Sequence, residues 1–216
     1  MSFYPDLAAP GAAETVGDFA ALAVEQGVRR LVLLSGRGEE EAQRAEGAVR
    51  RSGAEWTIVR SSFFSQNFSE GFMVDSVLAG ELALPVDGVP EPFADVEDIA
   101  DIAVAALTER GHAGRLYEVT GPRLLTFAEA VEEIAAAAGR PVRFVPVPAD
   151  AWAAELSAQG LADDLVALLT YLFTEVLDGR NARLADGVQR ALGRAPRDFR
   201  DYAQHTAAAG VWSAGG

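Results

Sequence analysis

The sequence predicts an α/β protein that combines a parallel sheet with a helical C-terminal lobe. Short runs of branched apolar residues alternate with segments of helical periodicity, which is the pattern of parallel β-α-β units. The segment 151–209 has an almost entirely helical composition. With 216 residues, 50% of them hydrophobic, the chain can bury one sizeable core or a core and a smaller lobe. We expect residues 1–122 to form the sheet domain and residues 123–216 the helical lobe, packed as one unit.

The first half of the chain gives the clearest strand signals. Leu31–Leu34 is a run of consecutive apolar residues that is too short for a helix and typical of an interior strand covered on both faces. Trp56–Arg60 predicts a second buried strand. Helices are predicted over 14–26 and 39–51, so helix and strand alternate as in a parallel sheet.

Later elements are spaced less regularly. Thr126 and Glu129 form a capping box, which begins a helix that ends at Gly139. A helix is also predicted over 95–107, and strands are predicted at 82–85, 116–119 and 142–147.

The composition excludes several classes of function. Because no cysteine is present, the chain has no disulfide or thiolate chemistry, and we expect a cytoplasmic protein. All 18 basic residues are arginine, which excludes lysine Schiff-base chemistry. The net charge of −14 repels phosphate backbones and anionic lipid, so we expect neither nucleic acid nor membrane as a partner. We predict that His112 and His205 lie on the surface and that no metal is bound.

The segment from Ser35 to Glu41 joins a strand to a helix through a Gly-x-Gly turn, as in dinucleotide-binding proteins. However, Glu41 stands at the position of the third glycine, and three consecutive glutamates stand where a pyrophosphate would bind. We therefore favour the alternative that these carboxylates complement the helix macrodipole. No nucleophile-elbow or zinc-protease motif supplies another catalytic centre.

A polar and aromatic segment, Arg60 to Asn67, follows the second predicted strand, at the edge where α/β sheets bind their ligands. One interpretation is a pocket that sets a few polar groups against an apolar wall. The other is that Arg60 pairs with a carboxylate, Asn67 caps a helix and the phenylalanines belong to the core. The residues alone leave both interpretations open.

Four segments read together resemble the NmrA-like family of atypical short-chain dehydrogenases. They are 27–35, 52–60 with the following Phe64 and Asn67, 93–100, and 117–122. The resemblance spans nearly the whole chain and implies a Rossmann-like fold with a small substrate lobe. The family includes NAD(P)H-dependent reductases, isomerases and redox-sensing regulators.

The resemblance also implies roles for individual residues. Ser35 and Arg60 are candidate catalytic residues on this ground, and Arg37 is a third candidate because it is a polar side chain of the same region. If NAD(P) is bound, its nicotinamide end would be bordered by Ser35, Ser61 and Phe63. A pocket for a small, largely apolar molecule would be lined by Phe64, Asn67, Phe68 and Tyr171. Two features depart from the family: its usual Arg-Pro is Arg60-Ser61 here, and the dehydrogenase tyrosine and lysine pair is missing.

The largest departure lies at the beginning of the chain. Family members open with a strand and a glycine-rich turn that holds pyrophosphate, whereas this chain begins near the end of what would be the fourth strand, around Phe3-Tyr4-Pro5. We therefore expect a truncated Rossmann-like sheet and no cofactor on the lone chain, although the resemblance implies NAD(P). The strand at 31–34 would then have an open edge, which we expect a homodimer or a swapped arrangement to cover.

Three functions remain open. The chain could be a shortened relative of NmrA-like NAD(P)H-dependent oxidoreductases that keeps a small-molecule pocket but has no autonomous dinucleotide binding. It could instead be a cofactor-independent isomerase or cyclase, in which the polar groups do acid-base or orienting work. The third possibility is a non-catalytic regulatory or partner-binding protein.

Overall fold

The computed structural model describes Leu7, Ala9 and residues 11–213, so the expected strand end around Phe3-Tyr4-Pro5 lies outside the described residues. The chain divides into two compact units built from interleaved segments. The first unit comprises Met1–Ser62, Glu97–Thr120 and Ala185–Pro196, and the second comprises Phe63–Val96, Gly121–Leu184 and Arg197–Gly216. The division expected after residue 122 differs from this, because each expected domain contains segments of both units.

The helices and strands are numbered in chain order. The strands are β1 (Arg30–Gly36), β2 (Glu55–Ser61), β3 (Glu81–Leu84), β4 (Arg115–Val119) and β5 (Arg143–Pro146). The first helices are α1 (Ala12–Glu25), α2 (Glu40–Arg51), α3 (Val74–Ala79), α4 (Val96–Thr108) and α5 (Phe127–Ala138). The last helices are α6 (Ala149–Ala158), α7 (Asp163–Tyr171), α8 (Gly187–Leu192) and α9 (Phe199–Ala208).

The first unit contains a three-stranded parallel sheet in the order β1, β2, β4. In the β1–β2 register Leu33 lies opposite Ile58, and in the β2–β4 register Ile58 lies opposite Leu116. The central strand β2 is the most buried of the three, since Ile58 and Val59 have almost no exposed surface. This confirms the predicted α/β class with parallel strands.

Helices α1 and α2 cover one face of this sheet. Their buried side chains form a small apolar cluster with the odd-numbered residues of β1, Leu31 and Leu33. The helical members of the cluster are Val16, Ala20, Ala45 and Val49. These positions recur every three or four residues, which is the spacing that aligns them on one helix face.

Strand β1 is not covered on both faces as its sequence predicts. Leu34 is 43% exposed, and β1 has a strand neighbour on the β2 side only, as far as the described residues show. A run of four apolar residues is typical of an interior strand, but the number of neighbouring strands is set by the rest of the fold and not by the run itself.

The second unit has its own core and a two-stranded parallel sheet, β3 with β5. Helix α5 begins at the predicted capping box: Thr126 Oγ1 accepts a hydrogen bond from Glu129 N at 3.2 Å, and Glu129 Oε2 accepts one from Thr126 N at 2.7 Å. Gly139 ends the helix in the left-handed conformation, as predicted.

The C-terminal region is helical but less continuous than its composition suggests. Helix α7 runs into a π-helical turn over Leu172–Val176, and α8 and α9 are separated by residues 193–198, which form no helix. The described ranges contain no helix that is both long enough and apolar enough to cross a membrane.

Candidate functional site

Three polar side chains lie in one row across the first unit's sheet, near the carboxyl ends of its strands. Ser35 of β1 is in register with Arg60 of β2, and Arg60 is in register with Glu118 of β4. Register neighbours in a sheet project to the same face, so the row faces a single side. Helix α2 adds Glu46 from that side.

Glu46 is the centre of a buried polar cluster, and only 1% of its surface is exposed. Its Oε1 accepts hydrogen bonds from Ser35 Oγ at 2.8 Å and from Arg60 Nε at 2.7 Å. Its Oε2 accepts from Arg60 Nη2 at 2.6 Å and from Arg50 Nη2 at 3.3 Å. A buried carboxylate is stable only when it is paired and hydrogen-bonded in this way.

Arg60 joins Glu46 to the far end of the row. Its Nη1 donates to Glu118 Oε1 at 3.1 Å. Hydrogen bonding to Glu46, more than any other contact, raises the pKa of the Arg60 guanidinium above its ordinary value. The sequence interpretation in which Arg60 pairs with a carboxylate therefore agrees with the structure.

Arg37 follows β1 and is also buried. Its Nη1 donates to Ser62 Oγ at 2.9 Å, and its Nε lies 3.7 Å from Glu118 Oε2. All three candidate catalytic side chains, Ser35, Arg37 and Arg60, thus belong to one polar cluster in the first unit. The Ser35 hydroxyl donates its hydrogen bond to Glu46, so toward a ligand it can act only as a hydrogen-bond acceptor.

The turn after β1 does not fit a dinucleotide pyrophosphate. The Glu39 side chain folds back over Gly36, so that a Cβ added to Gly36 would overlap Glu39 Oε1. Glu40 and Glu41 add two further carboxylates in the first turn of α2. A phosphate needs this helix N-terminus and these backbone amides free of negative charge. The glutamates instead occupy the position themselves, which agrees with the macrodipole interpretation.

The candidate residues around the Ser61–Phe63 turn are inaccessible or partly so. Ser61 is buried and its Oγ donates to the Ser62 carbonyl oxygen at 3.0 Å, within the first unit. Phe63 belongs to the second unit, where its ring packs edge-on against Phe93, Phe127 and Phe173. These contacts are typical of a core aromatic side chain.

The four predicted pocket residues all belong to the second unit. Phe68 is fully buried among other aromatic rings, and the Trp212 indole donates to its carbonyl oxygen at 2.9 Å. Phe64, Asn67 and Tyr171 are half-buried and so partly accessible. Asn67 lies in a short 3-10 turn, Ser65–Phe68, that has no side-chain cap. The structure thus separates one core residue from three that keep exposed surface.

An open cleft of about 270 Å³ lies at the opposite, amino-terminal edge of the first unit's sheet. It is lined by Arg30, Glu55, Thr57, Glu109 and Arg110, with small residues between them. Arg30 is held by Glu55 at 3.2 Å and by the Leu107 carbonyl oxygen at 2.8 Å. Sequence reasoning did not single out this cleft, because its residues are ordinary charged side chains with no motif spacing.

His112 lies beside that cleft and is buried, which corrects the prediction that both histidines are on the surface. Its Nδ1 and the Tyr117 hydroxyl are 2.9 Å apart, and its carbonyl oxygen accepts a hydrogen bond from Thr57 Oγ1. The polar residues next to His112 in the sequence suggested exposure. The imidazole is buried because it can hydrogen-bond to Tyr117, five residues further along the chain. His205 is exposed, as predicted. The described residues contain no cluster of potential metal ligands.

Glu46 is the site residue that sequence reasoning missed. Its signal was present, because Ala42, Ala45 and Val49 mark the buried stripe of α2 and Glu46 falls on that stripe. A charged residue on an apolar helix face indicates a buried partner of opposite sign.

A parallel sheet that carries helices and gathers polar side chains at the carboxyl ends of its strands defines the class of Rossmann-like α/β proteins. Solved structures agree: triphenylmethane reductase from Citrobacter sp. matches 95% of this chain and 74% of its own with a TM-score of 0.77 at 16% identity. NmrA, a negative transcriptional regulator, matches 90% and 69% with a TM-score of 0.61 at 16% identity. The predicted Rossmann-like α/β class is therefore confirmed.

Sequence relatives identify the family. The (4-alkanoyl-5-oxo-2,5-dihydrofuran-3-yl)methyl phosphate reductase of Streptomyces griseus is 36% identical over 201 residues, 88% of this chain and 70% of its own length. The NAD(P)H azoreductase of Xenophilus azovorans is 34% identical over 174 residues. The aligned region covers 80% of this chain but only 58% of that enzyme. No family model matches the chain. The chain belongs to the NmrA-like family of atypical short-chain dehydrogenases, as its sequence predicts.

Proposed function

We propose that this chain is the substrate-binding part of an NAD(P)H-dependent reductase of a small, largely apolar molecule, and that it does not hold the dinucleotide tightly by itself. Membership of the family supports the first half of the proposal. Two relatives are named as reductases, one of them NAD(P)H-dependent and one for an unsaturated furanone phosphate.

The position of Glu39 carries the second half of the proposal. Its carboxylate covers Gly36 in the turn between β1 and α2. A pyrophosphate brought to this turn would meet that carboxylate and those of Glu40 and Glu41 within the first turn of the helix. The negative charges of these carboxylates would repel the pyrophosphate, whereas the N-terminus of a phosphate-binding helix attracts it.

The experiment is a calorimetric titration of the chain with NADPH, and separately with NADH. We expect no saturation up to about 1 mM nucleotide, which would mean a binding free energy weaker than about −4 kcal/mol. One nucleotide bound per chain at micromolar concentration would contradict the proposal. Glu39→Gln serves as an internal comparison, since it removes the charge above Gly36 while keeping the side chain's size.

The substrate side of the proposal rests on three residues of the second unit, Phe64, Asn67 and Tyr171. They are partly exposed and combine an aromatic ring, an amide and a phenol, which is the composition of a site for an apolar molecule with a few polar groups. Phe68 belongs to the buried core of the same unit and is not itself accessible.

Ligand binding tests this part independently of the cofactor. An azo dye and an unsaturated furanone should each raise the melting temperature of the chain, and Asn67→Ala or Phe64→Ala should abolish the rise. The control is Gln204→Ala, which removes an amide from the exposed surface of α9. Equal stabilisation of all variants, or none of the wild type, would exclude the pocket.

A partner-binding role is the second candidate, because among the described residues β1 has a strand neighbour on the β2 side only. The isomerase or cyclase alternative has no such support. Its proposed acid-base groups at Ser35, Arg37 and Arg60 are bonded to Glu46, Glu118 and Ser62.

A further inference from the structure

We propose that Phe72 is a specificity-determining residue of the substrate site in the second unit, and that its ring selects planar, conjugated molecules over saturated molecules of the same size. The inference rests on the proposed function, because it concerns the same site as Phe64, Asn67 and Tyr171. It adds a fourth residue to that site and gives the shape of the substrate.

Phe72 carries an aromatic ring at the surface although its neighbours in the chain are buried. The residue is 38% exposed, whereas Phe68 and Met73 have no exposed surface. Phe72 lies in the turn that leads into α3, where Val74 N donates to the Gly71 carbonyl oxygen at 3.2 Å. The buried neighbours hold this turn against the core, so the fold itself fixes the place of the exposed ring.

Phe72 also joins the two segments that supply the other residues of the site. The residue before it, Gly71, packs on Asn67, since a Cβ on Gly71 would lie 3.2 Å from the Asn67 Cα, carbonyl oxygen and Oδ1. The Phe72 ring itself contacts the ring of Phe173, which lies two residues after Tyr171 in the π-helical turn that follows α7. A single exposed apolar side chain is ordinary. One that connects both segments of a candidate site indicates that it belongs to the site.

The contact with Phe173 leaves a face of the Phe72 ring uncovered. The ring centroids are 6.2 Å apart and the ring planes are inclined at 84°, so the edge of one ring meets the face of the other. This contact can occupy no more than one face of Phe72, and the described residues give Phe72 no other aromatic neighbour. An uncovered aromatic face binds a planar π-system by offset stacking, which contributes affinity beyond the burial of apolar area. A saturated ring of equal size does not stack.

Phe173 provides a rigid support behind the Phe72 ring. It is only 2% exposed, and its ring centroid lies 5.8 Å from that of Phe63 and 5.2 Å from that of Trp152. A side chain packed on a buried aromatic cluster has little freedom left to lose when a ligand binds, which reduces the cost of binding. The π-helical turn that carries Phe173 agrees with this role, since such turns are frequent at functional sites.

Asn67 supplies a polar group beside the ring. The residue is half-buried, and within the described ranges its side-chain amide forms no hydrogen bond. An amide both donates and accepts, so Asn67 can donate a hydrogen bond to a carbonyl oxygen of the ligand. The substrate class that follows from Phe72 and Asn67 together is a planar, conjugated carbonyl compound.

The test compares two ketones that share one carbon skeleton. The first, 2-acetylnaphthalene, is planar and aromatic, and the second, 2-acetyldecalin, is saturated and not planar. Calorimetric titration of the full chain should show the naphthalene binding about threefold to tenfold more tightly. Phe72→Leu should remove this preference, because leucine keeps an apolar side chain but cannot stack. Phe72→Tyr keeps an aromatic ring and should retain the preference.

The readout is the ratio of the two dissociation constants, which a loss of folding would not change selectively. Binding of 2-acetyldecalin should be nearly the same in all variants. Phe19→Leu is the matched control, because Phe19 is a 48% exposed phenylalanine in the first unit and its replacement should leave the ratio unchanged.

Three outcomes would overturn the inference and leave the proposed function standing. They are equal binding of the two ketones by the wild type, a preference that survives in Phe72→Leu, and an equal loss of both ketones in that variant. If the wild type binds neither ketone, the inference is also wrong, and the measurements with the azo dye and the furanone decide the proposed function separately.

A third compound tests the role of Asn67. In 2-ethylnaphthalene a CH₂ group replaces the carbonyl group of 2-acetylnaphthalene. Asn67→Ala should weaken the binding of 2-acetylnaphthalene by at least about threefold and leave the binding of 2-ethylnaphthalene unchanged, because only the ketone can accept a hydrogen bond. Equal effects on the two compounds would contradict the assignment of a carbonyl group to the substrate.

Discussion

Glu46 of α2 and Arg60 of β2 form a bidentate ion pair, with hydrogen bonds of 2.7 and 2.6 Å, that fastens the helix to the carboxyl ends of the strands. Glu46→Gln should lower the free energy of unfolding by about 3 kcal/mol, because it leaves the Arg60 guanidinium without its buried partner. Urea unfolding measures the change. Glu41→Gln on the same helix removes only an exposed pair with Arg44 and should cost less than about 0.5 kcal/mol. Equal losses of unfolding free energy in the two variants would show that the buried pair contributes no more to stability than the exposed pair.

Arg123 makes the corresponding contact in the second unit, where it donates two hydrogen bonds each to Asp198 and Glu133. Bonding to Arg123, above all, lowers the pKa of Asp198 below its ordinary value of 3.8. A lowered pKa in the folded state means that the stabilisation is complete above pH 3.8 and is lost as the pH falls below it.

Asp198→Asn should therefore flatten the fall in stability at acid pH. Melting temperatures between pH 5 and pH 2, for wild type and variant, measure it. Arg123→Lys keeps the charge but not the planar fork, so it should lose stability at neutral pH while retaining part of the pH dependence. An unchanged acid profile in Asp198→Asn would contradict the assignment.

We expect Tyr202 to make stability fall at alkaline pH. Its hydroxyl donates to Ser69 Oγ at 2.8 Å, and burial, the largest cause, raises the pKa of Tyr202 above its ordinary value of 10.0. A raised pKa on an acid means that the folded state is stabilised fully below pH 10.0 and loses that contribution above it. Tyr202→Phe should cost about 1 kcal/mol at pH 8 and weaken the alkaline fall in the unfolding free energy.

Denaturation at several pH values between 8 and 11.5 tests this expectation. Tyr171→Phe is the comparison, since Tyr171 is only half-buried and should leave the alkaline profile nearly as in the wild type. If the two variants behave alike, the buried phenol is not the group responsible.

Gly187 at the start of α8 lets that helix approach the backbone of β4. A Cβ at this position would overlap the Glu118 carbonyl oxygen. Gly187→Ala should lower the free energy of unfolding by about 2 kcal/mol, because backbone on both sides has to move. Gly47→Ala in the middle of α2 meets only the flexible end of Arg51 and should gain about 0.5 kcal/mol from helix propensity. Opposite signs in chemical denaturation are the expected result.

Sequence patterns located the elements of this fold well where the signal is local. The capping box at Thr126, the strand around Ile58 and the helix from Val96 all appear within a residue or two of their predicted positions. These elements are determined by periodicity and capping, which depend on neighbours in the chain.

Long-range relationships could not be obtained in this way. The exposure of Leu34 depends on which strand lies beside β1, and the burial of His112 depends on Tyr117 and Thr57. Glu46 is the clearest case at the candidate site, because its partner Arg60 lies 14 residues further along the chain, on the central strand β2. A buried charge on an apolar stripe signals that a partner exists but does not say where it is.

The interleaving of the two units has a consequence for how the chain is made. The polypeptide passes from one unit to the other five times, and the first unit receives its last segment, Ala185–Pro196, only after most of the second has been synthesised. Neither unit can therefore finish assembling on the ribosome before the other is nearly complete, and no single protease cut separates them intact. The first unit is therefore completed late, when helix α8 reaches β4.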